Sequence, residues 1–330
     1  MIQKEYDAMT ARFTVLASGS SGNASLLQLD DFGLLIDCGL HPRFLSARLQ
    51  SIGVKWDRIS AVVLTHTHTD HWKDATLADL RSRRIPLYGH PRHFEHLGRA
   101  AASFTTFHAA GLTRDYAEGQ LMQLTPTLTC MPIRVSHDSV PTFAFRLDGL
   151  DGASSLPAEA GKLPGNPAWS IGYASDLGCG SPELIAAFAG VDVLAIEYNH
   201  DELMERSSSR PKFLVDRVLG DHGHLSNKQA AELTAAIAGK SGDGFPGHLV
   251  QLHLSRDCNK PELAAVAGRE ALVALNPAAE VITARQDVAA KTIMLMRRPN
   301  ANNRAVARVN KPAKRRTIQP SLPGFDGSDW

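Results

Sequence analysis

The stretch Leu64–Thr65–His66–Thr67–His68–Thr69–Asp70–His71 packs three imidazoles and one carboxylate into six consecutive residues. Imidazole is the commonest metal ligand among side chains, and a carboxylate beside it adds a hard anionic oxygen. In an extended segment alternate residues share a face, so His66 and His68 can meet one ion. The chain then turns, bringing Asp70 and His71 to a second ion nearby. The spacing points to metal-dependent chemistry, against the plainer reading of a decorated surface loop.

The elements around the cluster must position it. It lies where a buried-type strand, Ala61–Thr65, gives way to a helical pattern over about Asp74–Arg83. Upstream, Phe13–Ala17, Ala24–Leu29 and Leu34–Asp37 read as strands, and Pro42–Ile52 as a helix with Leu45, Leu49 and Ile52 at helical spacing, closed by Gly53. Downstream come strands near Leu121–Leu124, Leu128–Val135 and Thr142–Leu147, then a Gly/Pro/Ser-rich insertion over 148–168. The second half alternates more plainly. Strands are expected at Ser170–Ser175, Val191–Glu197 and Leu249–Ser255, with two more near Glu280–Arg285 and Thr292–Met296. Ser181–Pro182–Glu183 opens one helix, and the Ser226/Gln229 capping box opens another that Gly239 should end; a third starts near Pro261 with Asn259 as a candidate cap. Mixed strands with outer helices favour one α/β layered sandwich over residues 1–296.

With those residues in place, the sequence resembles the metallo-β-lactamase-fold hydrolases over residues 12–296, which implies an αββα sandwich of two mixed β-sheets flanked by helices and a site at the strand ends holding two divalent ions. Carried over by position, His137 after Pro132–Val135 completes the first site, Asp176 in Ala174–Ser175–Asp176 bridges both ions, and His253 in Leu252–His253–Leu254 completes the second. The implied set is His66, His68, His137 and Asp176 on one ion, with Asp70, His71, Asp176 and His253 on the other. Zn²⁺ suits so many imidazoles, with Mn²⁺ or Fe²⁺ as alternatives.

Five segments narrow the resemblance. Ala17–Ser18–Gly19–Ser20–Ser21–Gly22–Asn23–Ala24, Leu35–Ile36–Asp37–Cys38–Gly39, Ile196–Glu197–Tyr198–Asn199–His200–Asp201, Gly223–His224–Leu225–Ser226–Asn227 and His253–Leu254–Ser255–Arg256–Asp257 look like the YycJ/WalJ-like branch. That branch implies 5′–3′ exonuclease action on DNA, and it is close to tRNase Z and to the PhnP-like phosphodiesterases. The resemblance makes Asp70, His224 and Glu197 the catalytic candidates: His224 contacts the scissile phosphate or protonates the leaving oxygen, and Glu197 orients it. In such sites paired ions hold a bridging hydroxide at neutral pH and polarise the phosphoryl oxygen that it attacks. Asp37 is expected to support the metal loop from behind. His200 and His222 are candidates for the substrate pocket, and the Ser18–Asn23 loop for a phosphate cradle. His90, His93 and His96 are read as a polar helix face. Three rivals stay open: a PhnP-like small-molecule phosphodiesterase, a glyoxalase II-type thioesterase, and a non-catalytic binding module on this fold.

Composition sets outer bounds. The 330 residues are 43% hydrophobic and 21% charged, as in a soluble enzyme. Cys38, Cys130, Cys179 and Cys258 are scattered without a C-x-x-C pair, which suits a reducing, cytoplasmic setting. No apolar run approaches the ~18 residues of a membrane span, so no membrane role is expected. Residues 297–330 hold eight basic residues and two acids, a net of +6, while 1–296 hold 27 basic and 32 acidic residues, a net of −5. A basic tail without an apolar face is expected to be disordered and to favour a polyanionic partner, nucleic acid and DNA before RNA.

Overall fold

The structure, a computed structural model, describes residues 11–151 and 162–298. The middle of the 148–168 insertion and all but the first two residues of the basic tail lie outside the described residues. Strands β1 (Ala11–Ala17), β2 (Ala24–Gln28), β3 (Gly33–Ile36), β4 (Ala61–Val63), β5 (Leu87–Gly89) and β6 (Thr113–Asp115) form one sheet in sequential order. Strands β7 (Met122–Thr125), β8 (Leu128–Val135), β9 (Thr142–Gly149), β10 (Trp169–Ala174), β11 (Val193–Glu197), β12 (His248–Leu252) and β13 (Glu280–Thr283) form the second. Strand β14 (Ile293–Leu295) returns to pair antiparallel with β1.

Both sheets are mixed. The first is antiparallel through β3 and parallel from β3 to β6; the second is antiparallel through β10 and parallel from β10 to β13. The inner faces meet in an apolar layer built on Phe13, Leu27, Leu34 and Ile36 from one side and Phe145, Trp169, Tyr173 and Val250 from the other. Each fully buried residue of this kind contributes about 1.5–3 kcal/mol, so this layer fixes the face-to-face register of the sheets. Helices α1 (Pro42–Ser51), α2 (Asp74–Ser82), α3 (Pro91–Ala100) and α4 (Phe104–Ala109) cover the outer face of the first sheet through Leu45, Leu77, Leu97 and Phe107. Between β11 and β12 the chain carries the short α6 (Glu202–Arg206) and α7 (Lys212–Leu219), then α8 (Asn227–Lys240). Helices α5 (Pro182–Phe188), α8 and α9 (Pro261–Leu272) cover the second sheet through Leu184, Phe188, Ile237 and Leu272. The result is the expected αββα sandwich.

Several local expectations need correction. Helix α8 runs through Gly239 to Lys240, because Ser241 can cap it and Gly239 meets nothing that would require it to break the helix. Lys260, not Asn259, is the N-cap of α9; the Asn259 side chain is spent on Asn227 and on the carbonyls of Tyr198 and Asn199. His93 is fully buried on α3, with its Nε2 2.6 Å from the Pro141 carbonyl, so the 90–96 histidines do not make one polar face. The strands expected to run to Asp37, Thr65 and Ser255 stop at Ile36, Val63 and Leu252, which matters for the site. Strands β5 and β6 and helices α4 and α6 are three to six residues long, too short to carry a periodic signal in the sequence.

Candidate metal centre

Strands β3, β4, β8, β10, β11 and β12 end on the same rim, and the candidate residues follow those ends. Asp37 and His253 come one residue after β3 and β12, and both take left-handed backbone, φ 61° and 54°. A non-glycine residue there is uncommon and costs of order 1 kcal/mol or more, and such residues cluster at functional sites. The turn ends each strand at the residue before it and places the side chain over the rim. The metal loop lies flat against the β1–β2 loop and the loop after β3: Asn23 N donates to Asp70 O at 2.7 Å and Cys38 N to His71 O at 2.9 Å. A Cβ on Gly39 would fall 1.7 Å from the Asp70 carbonyl, so only glycine permits this approach.

All seven expected ligands converge. His66, His68 and His137 form one group whose ligand atoms lie within 4.8 Å of one another, and Asp70, His71 and His253 form a second. Asp176 stands between them: its carboxylate is 3.1 Å from His71 Nε2, 3.5 Å from His253 Nε2 and 3.8 Å from His137 Nε2. The ring tautomers are set from outside. Asp37 accepts from His71 Nδ1 at 2.7 Å, Thr65 Oγ1 from His66 Nδ1 at 3.0 Å, and the Gly223 carbonyl from His137 Nδ1 at 2.9 Å. Glu197 lies 3.2 Å from His253 Nδ1, and Asp138 lies 3.4 Å from His68 Nε2. These contacts favour a protonated outer nitrogen on His66, His71 and His137, which turns the inner nitrogen of each ring toward the centre.

That arrangement is compatible with divalent cations. His68 Nδ1 and His137 Nε2 face each other at 3.2 Å, and among the described residues the buried His66 Nε2 has no hydrogen-bond partner. Buried polar atoms left in this way are costly unless an ion satisfies them. Burial pushes His66 well below its ordinary pKa and His68 down to about 4, so both are neutral and ready to ligate. Burial also lowers His71 and His253, but the neighbouring carboxylates, Asp176 first, outweigh it and hold both well above the ordinary value. Burial raises Asp70 and Asp176; His71 and His253 outweigh it, and both stay ionised.

His224 and Glu197 form a dyad beside the cluster. His224 Nδ1 is 2.7 Å from Glu197 Oε1, and its ring stacks on His253 with centroids 5.2 Å apart. Glu197 Oε2 accepts from Leu177 N at 3.0 Å and Leu225 N at 3.1 Å, so the carboxylate is an anchor whose oxygens are already engaged. Burial lowers His224, yet the Glu197 charge outweighs it and keeps the imidazole above its ordinary pKa.

Some expectations fall away. The N–H groups of Gly19, Ser21 and Gly22 are spent on Asn23, Gln286 and Gly19, so the Ser18–Asn23 loop is no phosphate cradle; it places Asn23 Nδ2 3.1 Å from Asp70 Oδ2. His222 sits on the rim against Ser136 Oγ at 2.8 Å, while His200 is fully buried and its ring nitrogens have no partner among the described residues. Asn23, Thr65, Asp138 and Asn199 are supporting residues that the motif reading passed over. Asp138 and Asn199 flank singled-out residues directly, so their proximity in sequence was the available signal.

Comparison with known proteins agrees with this geometry. The family model described as the β-lactamase superfamily domain matches residues 33–242. The chain belongs to the β-lactamase superfamily. Within it, the chain is 28% identical over 260 residues to the exodeoxyribonuclease WalJ of Streptococcus pneumoniae, covering 77% of this chain and 85% of that protein. The superfamily fold is shared with YhfI from Bacillus subtilis, at TM-score 0.58 and 18% identity over 86% of this chain and 99% of that one. A diphosphatase of the PhnP family matches at TM-score 0.56 and 18% identity, over 87% and 99%. The protein is a metal-dependent hydrolase of this superfamily.

Proposed function

We propose that the protein cleaves phosphodiester bonds in nucleic acid with two divalent ions, as a DNA 5′–3′ exonuclease. The observation that carries this reading is the His224–Glu197 dyad set beside two ligand groups with Asp176 between them. His66, His68, His137 and Asp176 would hold one ion; Asp70, His71, Asp176 and His253 the other. When bound, the ions supply activation of water at neutral pH and positive charge against the phosphoryl oxygens.

The chain's own residues supply the rest. Asp70 is 17% exposed against 2% for Asp176, so it is the carboxylate that an incoming water can reach and give a proton to. His224 is 20% exposed; Nδ1 is tied to Glu197, leaving Nε2–H to donate to the leaving oxygen. A protonated imidazole at that point suits an alkoxide leaving group such as a nucleotide sugar oxygen, and a thioester has no need of it. The exonuclease name of the pneumococcal relative and the basic composition of 297–330 support nucleic acid as the substrate.

The experiment is digestion of single-stranded DNA labelled at either end, with an Asp176→Ala control. The proposal expects mononucleotides released first from the 5′ end by the wild type alone. Hydrolysis of small phosphodiesters with polymers left intact would instead favour the small-molecule phosphodiesterase reading.

A further inference from the structure

The segment between β11 and α8 holds what the catalytic scheme leaves unused. Among the described residues the two most exposed large apolar side chains lie there, Leu203 at 78% and Phe213 at 74%. Helix α7 buries Val218 and turns Phe213, Asp216 and Arg217 outward. Phe213 and Arg217 are one turn apart on the same face, about 6 Å along the axis.

That face is fastened to the metal centre. Arg217 Nε ion-pairs with Asp138, whose Oδ1 lies 3.4 Å from His68 Nε2 and 3.6 Å from His137 Nε2. At the other end Arg210, just before the helix, binds Glu205 at 3.0 Å and Asp257 at 3.1 Å; at the Arg217 end His224 N donates to the Val218 carbonyl at 2.9 Å. Helix α7 is thus tied to the backbone of the catalytic histidine, to a ligand-bearing loop and to the His68 partner, yet it carries an uncovered phenyl ring one turn from the last of these.

We propose that Phe213, on the face of α7 that Arg217 pins to Asp138, is a stacking platform for a base of the strand being cut. The inference rests on the nucleic-acid reading above and names a residue that would separate polymers from small esters. Aromatic rings bind single strands by stacking, and the match is sequence-tolerant because every base offers a π face. A protein partner fits poorly: Lys212 is paired with Asp216 on the same helix, leaving no charge pattern to recognise, and two side chains fall far short of the roughly 800 Å² per partner of a stable interface.

The test compares wild type, Phe213→Ala and Phe213→Trp on a single-stranded oligonucleotide and on bis(p-nitrophenyl) phosphate, with the full chain and loaded metal. The expected result is that Phe213→Ala loses about tenfold more kcat/KM on the oligonucleotide than on the small ester, chiefly through KM. Phe213→Trp should retain the polymer activity, with Trp fluorescence quenched on oligonucleotide binding. Equal losses on both substrates, or no loss on an oligonucleotide that the wild type cuts, would overturn the inference and leave the nuclease reading standing. A wild type that cuts no oligonucleotide would overturn both. A dimer abolished by Phe213→Ala with unchanged oligonucleotide kinetics would assign the ring to a second copy instead.

Discussion

The Asp37 carboxylate lies 2.7 Å from His71 Nδ1 with both side chains wholly buried, and the same carboxylate accepts from Thr65 N at 2.8 Å. One residue therefore fixes the tautomer of a ligand and the start of the loop that carries three more. Its left-handed backbone is the local cost of reaching both. Asp37→Asn keeps the shape but loses the charge that favours the donor tautomer. Second-ligand positions of this kind cost 10–100-fold in metal affinity when changed. Chelator competition on the purified variant should show a drop of that size, with secondary structure retained; wild-type affinity would show that Asp37 serves only the fold.

His224→Ala should lower kcat on DNA by about 10²–10³-fold, within the range for a general acid. The loss should be much smaller on bis(p-nitrophenyl) phosphate, whose leaving group needs no proton. Glu197→Gln should shift the alkaline limb of the DNA rate profile to lower pH, because the Glu197 charge is what holds His224 above its ordinary pKa. Parallel losses on both substrates would remove His224 from the proton-transfer role.

His93 gives the fold an acid-sensitive point outside the set of candidate ligands. Its Nε2–H donates to Pro141 O at 2.6 Å and Nδ1 accepts from His90 N at 3.3 Å, so only the neutral ring satisfies both partners. Burial brings its pKa down to about 4. The unfolded chain takes up the proton near 6.5, so the contribution is complete above that pH and is lost as pH falls toward 4. The full span is on the order of 3 kcal/mol. His93→Gln should flatten the fall in Tm between pH 7 and 4.5; an unchanged slope would contradict the assignment.

Residues 299–330 hold six of the eight tail cations and both tail acids. If they tether nucleic acid, their deletion should reduce the slope of log affinity against log salt for single-stranded DNA by up to about 4, at roughly 0.7 per phosphate contact. The same slope before and after deletion would mean that the tail takes no part in binding.

The sequence carried the ligand cluster and the layered fold because both are local patterns: H-x-H-x-D-H is contiguous, and strands such as Val193–Glu197 are short, largely apolar runs. His137, Asp176 and His253 needed the family resemblance, since one histidine after a strand has no signature of its own. The strand ends at Asp37 and His253 were misjudged for a physical reason. Their side chains are compatible with strand, and only the demand of the site forces the left-handed turn. Asn23 was hidden in the same way: its Gly/Ser context signals a turn, while its work is done 47 residues away on Asp70. His93 looked polar because a histidine's burial depends on the carbonyl it finds, here Pro141 O, 48 residues on.

The most direct test strips the protein of metal and restores Zn²⁺ or Mn²⁺ in fractional equivalents, measuring bound metal per chain beside single-stranded DNA cleavage. A shared Asp176 between two ligand groups predicts no cleavage without metal and full activity only as the second equivalent binds, with Asp70→Ala stopping at one. Cleavage by the metal-free protein, or full activity at one equivalent, would contradict the dinuclear account.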